Sequence, residues 1–114
     1  MGNEPDSASD RTNSAARDIA DVPAVEVVTT VAVHLMSAAA IKCGLAEDEA
    51  TASEQQDLAE ARILITALAG LIKASAPDLG SAHAGPLRDG LKSLQAAFRE
   101  ASEVPDPPGH GPGE

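Results

Sequence analysis

Three stretches of the chain place apolar residues at helical intervals, and the segments around them do not. The first contains the least polar run, VVTTVAVHLMSAAAIKC, residues 27–43. A helix there is expected to start at Asp21, a good N-cap residue, with Pro23 in its first turn and Glu26 favourable to the dipole. It ends at Cys43, with Gly44 just past the cap. At about 100° per residue, Glu26, Thr29, Thr30, His34 and Ser37 fall in an arc of about 140°. Val25, Val28, Val31, Ala32, Leu35, Met36, Ala38 and Ala39 occupy the remainder, while Val33 and Ile41 project into the polar arc. His34 lies at the edge of that arc. Such an arc, with Glu26, His34 and Lys42 inside about 20 residues, argues against a membrane span.

The second helix is expected after GLAEDEATA, where Ser53 and Gln56 have capping-box spacing, and Pro77 bounds its far end. Leu58, Ala61, Ile65, Leu68 and Ile72 form one face, widened by Leu64 and Leu71. A stripe of mostly small residues lies opposite: Ala59, Ile63, Ala67, Gly70 and Ala74. A helix apolar on two sides is usually covered on both. Gly70 costs about 1 kcal/mol relative to Ala in a helix interior, and close packing against another backbone is its natural justification. The third helix runs from Pro86 to Ser102, with Leu87, Leu91, Leu94, Phe98 and Ala101 in a one-sided stripe. About ten residues join the second helix to the third, which predicts an antiparallel hairpin with the Ile65 face against Leu94 and Phe98. The expected fold is all-α: a small three-helix domain over residues 21–103, a long apolar helix plus the hairpin. Residues 1–20 read as a disordered acidic tail and residues 104–114 as a disordered Pro/Gly-rich tail.

Composition changes this picture in one respect, the placing of charge. The chain has 114 residues, enough for one domain, and a net charge of −10. The acids sit mainly in the tails and in residues 46–57, which hold five acids and no base. The helical core is close to neutral. Phe98 is the only aromatic residue. An acidic chain without stacking platforms is poorly suited, as a whole, to nucleic acid. A lone cysteine, Cys43, forms no intramolecular disulfide and fits a reducing compartment. The N-terminal residues lack the basic and apolar regions of a secretory signal and the myristoylation pattern. A cytoplasmic protein is expected.

Candidate chemistry adds little. Cys43 and His34 lie nine residues apart, a rise of about 13 Å, too far to pair within one helix. A thiol near a helix C-terminus also faces the wrong dipole end for activation. No metal-ligand spacing occurs, EDEATASE reads as a solvated linker, and HAGPLRDG as a Pro-started helix after a glycine turn. No enzyme activity, metal or cofactor is expected. The one basic cluster is Arg88, Lys92 and Arg99, within a stripe of about 40° on the third helix.

The segment DLAEARILITALAGLIKASAPDLGSAHAGPLRDGLKSLQAAF resembles the bacterial domain of unknown function 1844 family. The likeness is carried by DLAEAR at Asp57–Arg62, the Ile–x–x–Leu helix after it, Lys73, a turn with Leu79, and Leu91, Leu94 and Phe98. The preceding VTTVAVHLMSAAAIKCGL is similar to that family's first helix. Thr66 stands where the pattern has Asp, and KASAPDLG replaces a more basic turn. The resemblance implies no activity, only an association with genes of the translation apparatus. The leading expectation is a non-enzymatic interaction or assembly module. It self-associates or binds a protein partner through Val28, Val31, Leu35, Met36 and Ala39, together with Ala67 and Gly70. The alternative is a translation-associated factor contacting RNA or ribosomal protein through Arg88, Lys92 and Arg99. No membrane partner is expected.

Overall fold

A computed structural model describes residues 20–114; most of the expected acidic tail, residues 1–19, lies outside the described residues. Among those described the chain is all-α, with four helices rather than three: α1 (Ala24–Lys42), α2 (Glu49–Gln55), α3 (Leu58–Leu79) and α4 (Ser81–Ala101). α3 is the centre, packed by α1 on one flank and α4 on the other, and α1 also touches α4. α2 buries no residue.

The additional helix forms where a linker was expected, because two aspartates divide the segment. Asp48 accepts from the Thr51 backbone N–H at 3.3 Å and its hydroxyl at 2.9 Å, which caps α2. Asp57 accepts from the Glu60 N–H at 3.2 Å and caps α3. Ser53, the expected cap, lies inside α2, and Gln56 is the extended residue that ends it. The Asp57 N–H donates to the Lys42 carbonyl at 2.8 Å and the Gln56 side chain to the Cys43 carbonyl at 3.3 Å, so the start of α3 is tied to the end of α1.

α1 begins after Pro23 with no side-chain cap, so Asp21 is not its N-cap. It ends as expected. Gly44 has φ +88°, its N–H donates to Ile41, and the Leu45 N–H donates to Ala40, which satisfies the last carbonyls.

The hairpin is antiparallel, since Arg62 near the start of α3 lies over the Phe98 ring near the end of α4, 5.0 Å from its centroid. Its connection is a single residue, Gly80 at φ +80°, not about ten. Pro77 does not end α3 and Pro86 does not begin α4; both sit inside their helices. Each forfeits one backbone bond. The buried side chains beyond them, Leu79 after Pro77 and Ala84 before Pro86, hold the extra turns in the core. Burial overrides local preference at both positions. Ile65, Leu68, Ile72, Leu87, Leu94 and Phe98 form the core seam, with Ala32 and Ala39 contributed by α1 and Cys43 by its C-cap.

The C-terminal segment corrects a further expectation. Residues 104–114 do not trail away from the helices; they fold back on α3 and α4. Arg62 pairs with Asp106 at 2.7 Å and Arg99 with Glu114 at 2.8 Å. Gln95 donates to the Pro112 carbonyl at 3.1 Å, and Pro112 is buried. The Glu114 carboxylate also accepts from the Gly109 and Gly111 N–H groups at 3.2 and 3.0 Å. Two ion pairs, the Gln95 hydrogen bond and the buried Pro112 fasten a stretch that lacks any helical period.

Candidate functional site

The surface that the fold leaves unfilled lies on α1. Its inward line is Ala32, Ala39 and Cys43, with Val25, Val28, Leu35, Met36 and Ala40 half-buried beside them. Thr29, expected in the polar arc, is half-buried and donates its hydroxyl to the Val25 carbonyl at 2.7 Å. The outward side keeps Val27 38%, Val31 47%, Val33 49% and Ile41 43% exposed. A shallow apolar depression there is lined by Val22, Val27, Val31, Glu26 and Thr30. By length and composition α1 is apolar enough to cross a membrane, yet in this fold it packs along α3.

The residues singled out in the sequence separate into two groups. Val28, Leu35, Met36 and Ala39 turn toward the chain's own core, and only Val31 stays on the outer face. Met36 spends its length against Gly90 of α4, where a Cβ would collide with its terminal methyl. Ala67 and Gly70 are exposed on the side of α3 away from α1, so the structure does not bring them to the α1 residues. Nothing lies within 4 Å of a Cβ placed on Gly70, which removes close backbone packing within the chain as its justification. Val27 and Ile41 were not anticipated as members of an outer face. The signal was present: Val33 and Ile41 interrupt the polar arc, and an interrupted arc marks a helix without a clean solvent side.

Arg88, Lys92 and Arg99 are all exposed, but Arg99 is engaged by Glu114. Arg88 turns instead to a cavity of about 580 Å³ between α3 and α4, shared with Lys73, Thr66, Leu91 and Gly113. No nucleophile or general base converges there. Burial pushes the Cys43 thiol up, the direction of an inert structural cysteine. At Asp48 the Thr51 hydroxyl, then its N–H, hold the carboxyl below its ordinary range, as a cap does. Among the described residues no three His, Cys, Asp or Glu side chains gather in a way that could hold a metal ion.

The family model described as Domain of unknown function (DUF1844) matches residues 24–100, from the first residue of α1 to the penultimate residue of α4. The chain belongs to the DUF1844 family. The match spans all four helices, so the family unit is the α1–α3–α4 bundle with α2 as its bridge. The folded-back segment 104–114 lies beyond it. No curated protein and no solved structure matches the chain.

Proposed function

We propose that this DUF1844 protein is a non-enzymatic helical interaction module of the cytoplasm that associates with a second copy of itself through the outer face of α1. The observation that carries the reading is the exposure of Val27, Val31, Val33 and Ile41 along one helix. Scattered exposed apolar residues are ordinary, whereas several along one helix mark a contact surface. The bland alternative, α1 as merely the third helix of a monomeric bundle, leaves these side chains in water for no structural return.

The second reading, contact with RNA or a ribosomal protein through Arg88, Lys92 and Arg99, loses support from the ion pair that takes Arg99. It predicts RNA binding that weakens steeply with salt. The self-association reading predicts a species above monomer mass in light scattering at micromolar concentration. Val31→Glu should return it to monomer while circular dichroism stays helical, because Val31 supports little of the core. A wild-type protein that remains monomeric overturns the reading.

A further inference from the structure

Residues 104–114 lie on the α3–α4 face as a bound peptide lies on a receptor. The hydrophobic core takes no residue from them, and the family match ends at residue 100, before they begin. Yet each kind of contact by which a groove recognises an extended chain is present. Arg62 and Arg99 take the carboxylates of Asp106 and Glu114. The Gln95 side chain donates to the Pro112 carbonyl, a contact to the main chain. Pro112 is the one buried residue of the segment. At Gly113 a Cβ would come within 2.6 Å of the Ala69 Cβ and φ is +75°, so glycine alone fits. Pro105, Pro107, Pro108 and Pro112 stiffen the segment, which lowers the entropy lost on docking.

From this footprint we infer that the α3–α4 face is a docking groove for an acidic, proline- and glycine-containing extended segment of another protein, held shut in the free chain by residues 104–114. The face is not that of α1, and the inference stands apart from the self-association reading. A net charge of −10 opposes the approach of an acidic peptide, so local bases must select it. The groove provides them. At Gly113 it opens into the cavity of Lys73 and Arg88, which no acid lines, and neither base is in an ion pair among the described residues. A partner segment with acids beyond the glycine position meets bases that residues 104–114 leave unmatched. That supplies the advantage needed over a tethered competitor, whose effective concentration is on the order of millimolar. The fastening also suits release: both ion pairs are partly exposed, so water and salt compete for them. Nucleic acid fits less well. The Gln95 contact and the glycine-sized gap suit a polypeptide backbone, and Phe98 is buried, leaving no ring on which a base could stack.

Release variants of the full chain test the groove. Gly113→Val dislodges the segment by collision with Ala69, and Asp106→Asn with Glu114→Gln does so by removing both charges. All three positions lie outside the helices. Amide exchange at Gly109 and Gly111 reports the release. A fluorescently labelled peptide VPDPPGHGPGE, followed by anisotropy, should bind both variants at least about tenfold more tightly than wild type, because the tethered competitor is gone. Extending the peptide by two glutamates should tighten binding further, and Arg88→Gln should cancel that gain. Arg99→Gln in the Gly113→Val chain should weaken binding of the unextended peptide. Faster exchange without tighter peptide binding overturns the proposal. So does unchanged exchange in both variants, which would make the segment a fixed part of the fold. An oligouridylate that binds the released chains more tightly than the peptide does assigns the groove to nucleic acid instead.

Discussion

α1 and α3 are both long, apolar helices, and they are turned in opposite senses. α3 directs Ile65, Leu68 and Ile72 inward and leaves Ala59, Ala67, Gly70, Ala74 and a single large residue, Ile63, in solvent. α1 directs Ala32 and Ala39 inward and leaves Val27, Val31, Val33 and Ile41 outside. The side chains at a contact set how near two helix axes come, so alanines let α1 lie close along α3. Val25, Val28, Leu35 and Met36 pack beside these alanines, while Val27, Val31, Val33 and Ile41 are left on the far side of α1, outside the core. α3 therefore supplies the stability of the fold and α1 supplies its leftover surface. Buried and exposed large apolar residues are thus divided mostly between the two helices, Ile63 of α3 being the exception.

The largest effect expected from breaking this division is on the α3 side. Phe98 is buried against α3 with the Arg62 guanidinium over its ring. Phe98→Ala should cost about 3–5 kcal/mol in chemical denaturation. A loss under about 1 kcal/mol would mean that the α3–α4 seam does not hold the fold together. For contrast, Val31→Glu on the outer face of α1 should move association and leave unfolding nearly unchanged.

The uneven division explains what could be read from the sequence. The faces of α3 and α4 were legible residue by residue, because large side chains at three- and four-residue spacing have one inward side. Val28, Leu35 and Met36 were recognisable as apolar, but α1 is apolar nearly all round, and periodicity alone cannot orient such a helix. Its inward line is set by the fit of Ala32 and Ala39 to α3, a tertiary matter. The short α2 escaped notice because Ser53 and Gln56 imitate a capping box, while the working caps are Asp48 and Asp57. Pro77 and Pro86 signalled boundaries that burial of their neighbours overrode. Nothing local announces that Asp106 and Glu114 will find Arg62 and Arg99, far away in the chain.

A smaller effect sharpens the comparison from the other side. If association uses α1, the small-residue stripe on α3 faces only water. Gly70 then gains from a side chain: its backbone is helical and a Cβ there meets no atom within 4 Å. Gly70→Ala should stabilise the protein by about 0.4–1 kcal/mol, through helix preference and a less free unfolded chain. Its dimer affinity should equal wild type. If the variant weakens the dimer, the stripe of Ala67 and Gly70 belongs to the interface, and α3 takes part in the contact alongside α1.

The smallest effect concerns the segment that covers α3 and α4 but not α1. Pro112 is buried, and a Cβ on Gly113 would collide with Ala69 of α3, so the segment shields residual surface on one side of the molecule only. Its fastening is electrostatic and half-exposed: the Arg99 side chain is 51% accessible and that of Glu114 22%. Pairs this exposed contribute about 0.2–1 kcal/mol and weaken with salt. Glu114→Gln keeps an acceptor for the Gly109 and Gly111 N–H groups but removes the charge that Arg99 meets. It should lower stability within that range at low ionic strength, and the difference from wild type should shrink in high salt. Amide exchange at Gly109 and Gly111 should quicken before any helix is affected, since a segment held by few contacts opens locally. Should exchange there be unchanged and stability be equal at low salt, the buried Pro112 and the Gln95 hydrogen bond hold the segment without the ion pair. The α3–α4 side would then be closed by packing, as its core is, and α1 would remain the side where apolar surface stays open.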